Sequence, residues 1–203
     1  MQSLKLFLSI IVTLGSLSCG SFGDGISQSP DPEIAVKSAF EKFVAAKAFR
    51  LEIKTNIGEG IGETEVDYLA PDRFRIKNLS NATSEIIAIG SDSYNRLAEA
   101  KWTKIPPGKA FNTAEFRERL FEQARSALSD VKALGSEEFN GTKSFTYSFK
   151  SGSNPDYEYK IWISAESGLP LQMIGEKKAE PAGTVTTTYD FNDEIIINAP
   201  PSD

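Results

Sequence analysis

Cys19 is the only thiol in this 203-residue chain, and there is no histidine. A cysteine reacts through its thiolate, but here the commonest general base and the commonest metal ligand are both missing. The remaining apparent clusters of reactive side chains are carboxylates. Asp190, Asp193 and Glu194 cluster near the C-terminus, yet no glycine-rich calcium loop surrounds them, and a solvated turn is the better reading. Asp156 and Glu158 share one face of a strand without a partner of known position, so they do not form an acid–base pair. The chain has no glycine-rich phosphate loop, no nucleophile elbow and no His-based dyad. An enzyme is therefore not expected, nor a cofactor, nor a metal. Asn78, Asn81 and Asn140 fit the Asn-x-Ser/Thr pattern, although Asn140-Gly141 reads better as a hairpin turn.

The residues around Cys19 suggest another use for its thiol. Lys5 precedes an apolar run from Leu6 to Leu14, and Gly15-Ser16-Leu17-Ser18 leads into Cys19-Gly20. The run is too short to span a bilayer, which needs about 20 apolar residues. It fits a secretory h-region followed by small residues at a cleavage point. A cysteine directly after such a site resembles the bacterial lipobox, where the thiol takes a diacylglyceryl group and becomes the new N-terminus. Ser18 fits the small residue before the cysteine, whereas Ser16 and Leu17 depart from the usual choices. The alternative is an ordinary signal peptide with an incidental cysteine. On the lipobox reading, residues 1–18 are a signal peptide and 19–31 a lipidated N-terminus with a flexible Gly/Ser/Pro tether. Residues 32–203 then form one domain, exported and held beside a membrane in the cell envelope, facing the periplasm or cell surface.

The net charge is −6 and the lysines and arginines are scattered. Nucleic-acid binding needs a concentrated basic face, so that class of partner is excluded.

Past the tether the periodicity predicts a helix, a run of strands, a second helix and more strands. Asp31-Pro32-Glu33 combines a capping side chain, a first-turn proline and an acid near the positive helix end. Val36, Phe40, Phe43 and Val44 then recur at helical spacing. Phe49, Leu51, Ile53 and Ile57 switch to a period of two, followed by turn glycines at 58, 60 and 62 and a strand through Val66 and Tyr68. Phe74 and Ile76 continue the alternation, Ile87 and Ile89 form a shorter apolar pair, and Tyr94–Leu97 and Trp102–Ile105 read as two further strands. Pro106-Pro107-Gly108 stops the sheet. Asn112 and Glu115 make a capping-box pattern for a helix to about Asp130, with Phe116, Leu120, Ala124, Ala127 and Leu128 as its stripe and Phe121 widening it.

The C-terminal third alternates most regularly. Phe145, Tyr147 and Phe149 are separated by Ser144, Thr146 and Ser148, whose hydroxyls are expected to face water. Tyr157, Tyr159, Ile161 and Ile163 follow, then a turn at Ser167-Gly168, then Leu169, Leu171 and Met173. Val185, Thr187, Tyr189 and Phe191 form the last long strand, and Ile195–Ile197 a short closing one. Strands joined by short turns are antiparallel, which predicts a large meander, apolar on one face and wetted on the other.

Trp162-Ile163-Ser164-Ala165-Glu166-Ser167-Gly168-Leu169-Pro170-Leu171 resembles the strand–turn–strand of bacterial exported proteins related to the lipoprotein carriers LolA and LolB. The mycobacterial lipid-binding lipoproteins LppX and LprG belong to the same structural group. Tyr189-Asp190-Phe191-Asn192 with Ile195-Ile196-Ile197-Asn198-Ala199-Pro200 is similar to their C-terminal pattern, and the order of elements agrees over roughly residues 32 to 200. The resemblance implies a mainly β (α+β) fold: a strongly curved antiparallel half-barrel covered on its concave side by helices, with an apolar cavity for acyl chains.

On that reading the cavity is lined by Leu51, Ile53, Phe74, Ile76, Ile87 and Ile89 from the first strands. Phe116 and Leu120 contribute from the second helix, and Phe145, Tyr147, Phe149, Ile161, Ile163, Leu171 and Met173 from the last strands. The same residues would otherwise make a dry core. In a cavity, Tyr147→Ala is expected to cost less than the ~3–5 kcal/mol of a packed aromatic truncation, and the second helix is expected to act as a lid. The partners implied are the acyl chains of lipids or lipoproteins, with the membrane reached through Cys19. The alternative is a regulatory or structural module that binds an envelope protein through its rim or outer face.

Overall fold

The computed structural model describes residues 31–80, 83–106, 108–191 and 194–201. Cys19, the signal-like segment, most of the tether, Asn81 and Asp193 lie outside the described residues.

The first helix, α1 (Pro32–Ala45), begins where its capping signals are. An Asp31 carboxylate oxygen accepts from the backbone N–H groups of Glu33 and Ile34, each at 3.1 Å, and Val36, Ala39, Phe40 and Phe43 form its buried face. Six strands follow: β1 (Ala48–Ile57), β2 (Gly60–Leu69), β3 (Arg73–Asn78), β4 (Ser84–Ile89), β5 (Asp92–Leu97) and β6 (Thr103–Lys104). After α2 (Thr113–Arg125) come β7 (Leu128–Phe139), β8 (Thr142–Ser151), β9 (Asn154–Ser164), β10 (Pro170–Lys177) and β11 (Gly183–Asp190).

All eleven strands join one antiparallel sheet in the order β6-β5-β4-β3-β2-β1-β11-β10-β9-β8-β7. Pairing of β1 with β11 joins the two halves of the meander. The sheet is a curved half-barrel, not a closed one. Its free edges are β6 and β7, which are consecutive in the chain, so the segment carrying α2 runs from one edge to the other. Both edges are poor templates for further pairing: β6 has two residues, and β7 is interrupted by irregularities. Phe111 N–H donates to the Ser93 hydroxyl at 3.0 Å near the start of α2, and Gly152 N–H donates to Ala127 O at 2.9 Å beyond its end.

Three expectations change. Helix α2 stops at Arg125 rather than near Asp130, and Leu128 opens β7 by pairing with Ser151. That strand carries no period-two signal, because most of its side chains are exposed and its register shifts near Asp130 (φ 54°) and Gly135 (φ 132°). Second, Ser144 and Thr146 are buried. Their hydroxyls donate to Glu137 O at 2.8 Å and Gly135 O at 3.3 Å, satisfying carbonyls of the irregular neighbouring strand. Third, Ile195–Ile197 is not a strand; Ile197 is buried and its carbonyl accepts from Arg73 at 2.9 Å. The Asn140-Gly141 turn is as expected, with φ 47° and 80° joining β7 to β8.

Candidate ligand-binding site

Strand register places the inner face. Phe49, Tyr68, Phe74 and Ala88 lie opposite one another across β1–β4. Tyr147, Ile161, Met173, Thr187 and Ile53 do so across β8, β9, β10, β11 and β1. The helices cover part of this face with aromatic rings. Phe40 packs edge-on to Phe149 with centroids 5.9 Å apart. Phe43 meets Phe49 at 4.9 Å, Phe121 at 5.3 Å and Tyr189 at 5.3 Å, and Phe116 meets Phe74 at 5.1 Å.

Cover is lost along the strands. In β1, Phe49 and Leu51 are buried, while Ile53, Thr55 and Ile57 are half-buried; in β2, Tyr68 and Val66 are buried, while Thr64 and Gly62 are half-buried. Phe74 and Ile76 repeat the step in β3. On β1–β3 the inner face thus passes from packed core to half-covered surface, whereas on β8–β10 Phe149, Tyr159 and Met173 stay buried.

A cleft of about 200 Å³ lies on the same face, lined by Asn154, Tyr157, Tyr159, Met173, Val185 and Thr187. Its tyrosines lie over Gly175. A Cβ there would come within 2.8 Å of Tyr159 Cε1 and 3.2 Å of Tyr157 Cδ1. Without it the rings stack, Tyr157 on Tyr159 at 6.0 Å and Tyr159 on Phe149 at 5.2 Å. Burial pushes the Tyr159 phenol up to about 12, with Tyr157 adding to the rise and a hydrogen bond with Asn154 opposing it. Burial also raises the Tyr189 phenol. Both stay neutral at physiological pH, so these two phenols add no charge to the face. Gly175→Ala is expected to cost about 1–3 kcal/mol by forcing the rings aside; an unchanged urea midpoint would show that they have room to spare.

A larger depression of about 620 Å³ lies beside α2, but Glu115, Glu118, Arg119, Glu122, Ser126, Gly152 and Ser153 line it. Three carboxylates and an arginine suit water, not an alkyl chain.

The candidate lining residues fall into three groups. Leu51, Phe74, Tyr147, Phe149, Ile161, Ile163 and Met173 are buried in the core cluster, with Ile53, Ile76, Phe116, Leu120 and Phe145 packed against it; of these, only Met173 reaches the cleft. Tyr147 is wholly buried, so the full packed-aromatic cost replaces the reduced one expected from sequence. Leu171 is the unpaired residue of an irregularity between Pro170 and Gln172. Ile87 and Ile89 belong to the opposite face, because they pair with Arg75 and Arg73. Ile86 and Ala88 take the inner positions instead, opposite Ile76 and Phe74. Within Ile86–Ile89 every position is apolar, and the one signal for the outer parity is Glu85, which alternates with Ile87 and Ile89 and pairs with Lys77.

The periodicity places Tyr157, Tyr159, Val185 and Thr187 on alternating strands but assigns none of them to the site. The period-two pattern names a face; it says nothing about where along that face the helices stop.

The outer face is charged and ordered. Asp190, Arg50, Asp67 and Arg75 lie opposite one another across β11, β1, β2 and β3. Asp67 is fully buried and accepts from Arg50 Nε at 2.6 Å and Arg75 Nε at 2.9 Å. Burial pushes its carboxyl up, but those hydrogen bonds and charges outweigh burial and hold it below its ordinary value. Among the described residues, no three acidic, histidine or cysteine side chains converge as a metal site, and no helix is long and apolar enough to cross a membrane.

No family model matches this chain, and no curated protein matches it. Solved structures do. LprF from Mycobacterium bovis superposes with a TM-score of 0.60 over 86% of this chain and 99% of its own, at 11% identity. The Mycobacterium tuberculosis lipoprotein LppX gives 0.53 over 83% of this chain and 100% of its own, also at 11% identity. MucB gives 0.50 at 12% identity, with 85% of this chain matching 64% of MucB. At such identities the likeness is one of fold, and it extends over essentially all of LprF and LppX. The chain therefore has the LppX-like fold, an antiparallel half-barrel with helices on its concave side.

Proposed function

We propose that this protein is a non-enzymatic, membrane-anchored lipoprotein of the bacterial envelope. It binds the acyl chains of lipids or lipoproteins on its concave face, for transport or chaperoning. The observation that carries this reading is the loss of cover along the inner face of β1–β3, with the tyrosine-lined cleft on the same face. An acyl chain exposed to water costs about 0.8 kcal/mol per methylene, and a sheltered apolar surface removes that cost. A strand of eight residues is about 26 Å long, comparable with an extended long chain.

The cleft alone is too small. Its volume of about 200 Å³ falls below the ~300 Å³ at which small-molecule pockets usually begin. A loaded protein needs more space, and α2, which runs between the two sheet edges, is the element whose displacement creates it. Mass spectrometry of organic extracts from the purified domain tests the reading. Acyl lipids are expected in the extract; their absence, together with no uptake of a fluorescent fatty acid, would overturn it.

Anchoring is tested separately. Labelled palmitate should enter the wild type, and Cys19→Ala should lose both label and membrane association. Equal labelling of the variant would remove the anchor.

A protein-binding module is the second reading. MucB, which shares the fold, has also been solved in complex with MucA(peri). Here the exposed Ile61 and Leu79 stand on adjacent segments, where Leu79 N–H donates to Glu63 O at 2.8 Å.

A further inference from the structure

Six arginines have described side chains, and five of them find an oxygen. Arg50 and Arg75 hold Asp67, Arg96 holds Glu85, Arg119 lies by Glu115, and Arg73 donates to Ile197 O. Arg117 is the exception. Its Nε is buried without a hydrogen-bond partner, and among the described residues it makes no ion pair. It stands one turn before Phe121 on α2, so the two side chains share a helix face. Its guanidinium carbon lies 5.3 Å from the centre of the Phe121 ring and 6.0 Å from that of Tyr68. Both rings are buried in the core.

A guanidinium is always charged and presents its N–H groups in a planar fork. Aromatic faces attract the cation but accept none of the in-plane hydrogen bonds. A buried donor left without an acceptor is costly, more so when charged. Helix α2 thus holds a cation whose buried Nε–H is unused against the inner aromatic surface, and a guanidinium fork matches the oxygens of a carboxylate or a phosphate.

We propose that Arg117 receives the anionic head of an amphiphile, a carboxylate or phosphate, whose alkyl chain lies along the concave face. This rests on the acyl-chain reading above and narrows the ligand to singly headed or phosphorylated anionic lipids.

Binding of oleate, oleyl phosphate and oleyl alcohol to the delipidated domain separates the possibilities, because the three share one chain. The two anions should bind the wild type about 10- to 100-fold more tightly than the alcohol, the range of a charge-assisted hydrogen bond. In Arg117→Met that ratio should fall toward one, whereas Arg119→Met, at an exposed position, should keep it. The ligand-free Arg117→Met domain should be as stable as the wild type or more so, because an unsatisfied donor has been replaced by apolar volume; a clear fall in its melting temperature would mean a structural role and overturn the proposal. Equal affinity for oleate and oleyl alcohol would overturn it while leaving lipid binding intact. Failure of all three to bind would overturn the acyl-chain reading as well. Inorganic phosphate binding as tightly as oleyl phosphate would make the ligand a free anion and not an amphiphile, which also overturns it.

Discussion

Phe43→Ala is expected to destabilise the domain by about 3–5 kcal/mol, the range for truncating a packed aromatic. Phe43 is the point where α1, α2 and the sheet meet. Its ring lies against Phe49 of β1, Phe121 of α2, Tyr189 of β11 and Phe191 beyond it, and the side chain is 4% exposed. Aromatic pairs in this geometry add about 0.5–1.5 kcal/mol beyond simple burial. Tyr147→Ala belongs to the same class, since Tyr147 on β8 is wholly buried. Urea unfolding of the two variants measures the effect. A loss below about 1 kcal/mol for Phe43→Ala would show that α1 is not docked on the sheet as described.

The second large effect is electrostatic and lies on the opposite face. Replacing both Arg50 and Arg75 by methionine leaves Asp67 buried without its cations, which is expected to cost about 3–5 kcal/mol at neutral pH. The arginines themselves are 33% and 26% exposed, so their Coulomb attraction is partly screened; the cost comes from the stranded carboxylate. The pH dependence identifies the cause. In the wild type the folded carboxyl lies below its ordinary value of 3.8, because hydrogen bonds from Arg50 and Arg75 outweigh burial. Its contribution is therefore complete above the ordinary value and lost as pH falls through the lowered one. In the double variant burial acts alone and raises the carboxyl. The penalty is then complete above that raised value and relieved as pH falls toward the ordinary one. The gap between wild type and variant should narrow from pH 7 to pH 4. A gap that stays constant would mean that lost packing of the arginine stems, not the carboxylate, is responsible.

The two faces divide the work. Arg50, Asp67 and Arg75 lock three neighbouring strands in register from outside, because a one-residue slip of β2 would carry the buried carboxylate away from both cations. With register held there, part of the inner face can remain without helical cover. Uncovered sheet is a poor way to gain stability and a direct way to make a binding surface.

What the sequence by itself determined is what neighbouring residues decide among themselves. Asp31 caps α1 because its carboxylate reaches the next backbone N–H groups. Asn140-Gly141 turns the chain because those residues tolerate positive φ. Phe145, Tyr147 and Phe149 share a face because side chains alternate along a strand. These local signals were enough for the order of most elements and for a large antiparallel meander with helices to cover it, while its curvature was implied only by the family resemblance. The tertiary structure decided everything that depends on what arrives from far along the chain. Ile87 and Ile89 point outward because register with Arg75 and Arg73 sets their parity. Leu128 leaves the helical pattern because β8 takes up its backbone. Ser144 and Thr146 are buried because an irregular β7 offers them its carbonyls. Arg117 looks in sequence like a solvent-facing charge on an amphipathic helix, and only the docking of α2 puts it against Tyr68 and Phe121. The position of the cleft is of the same kind: no residue lining it carries that information alone.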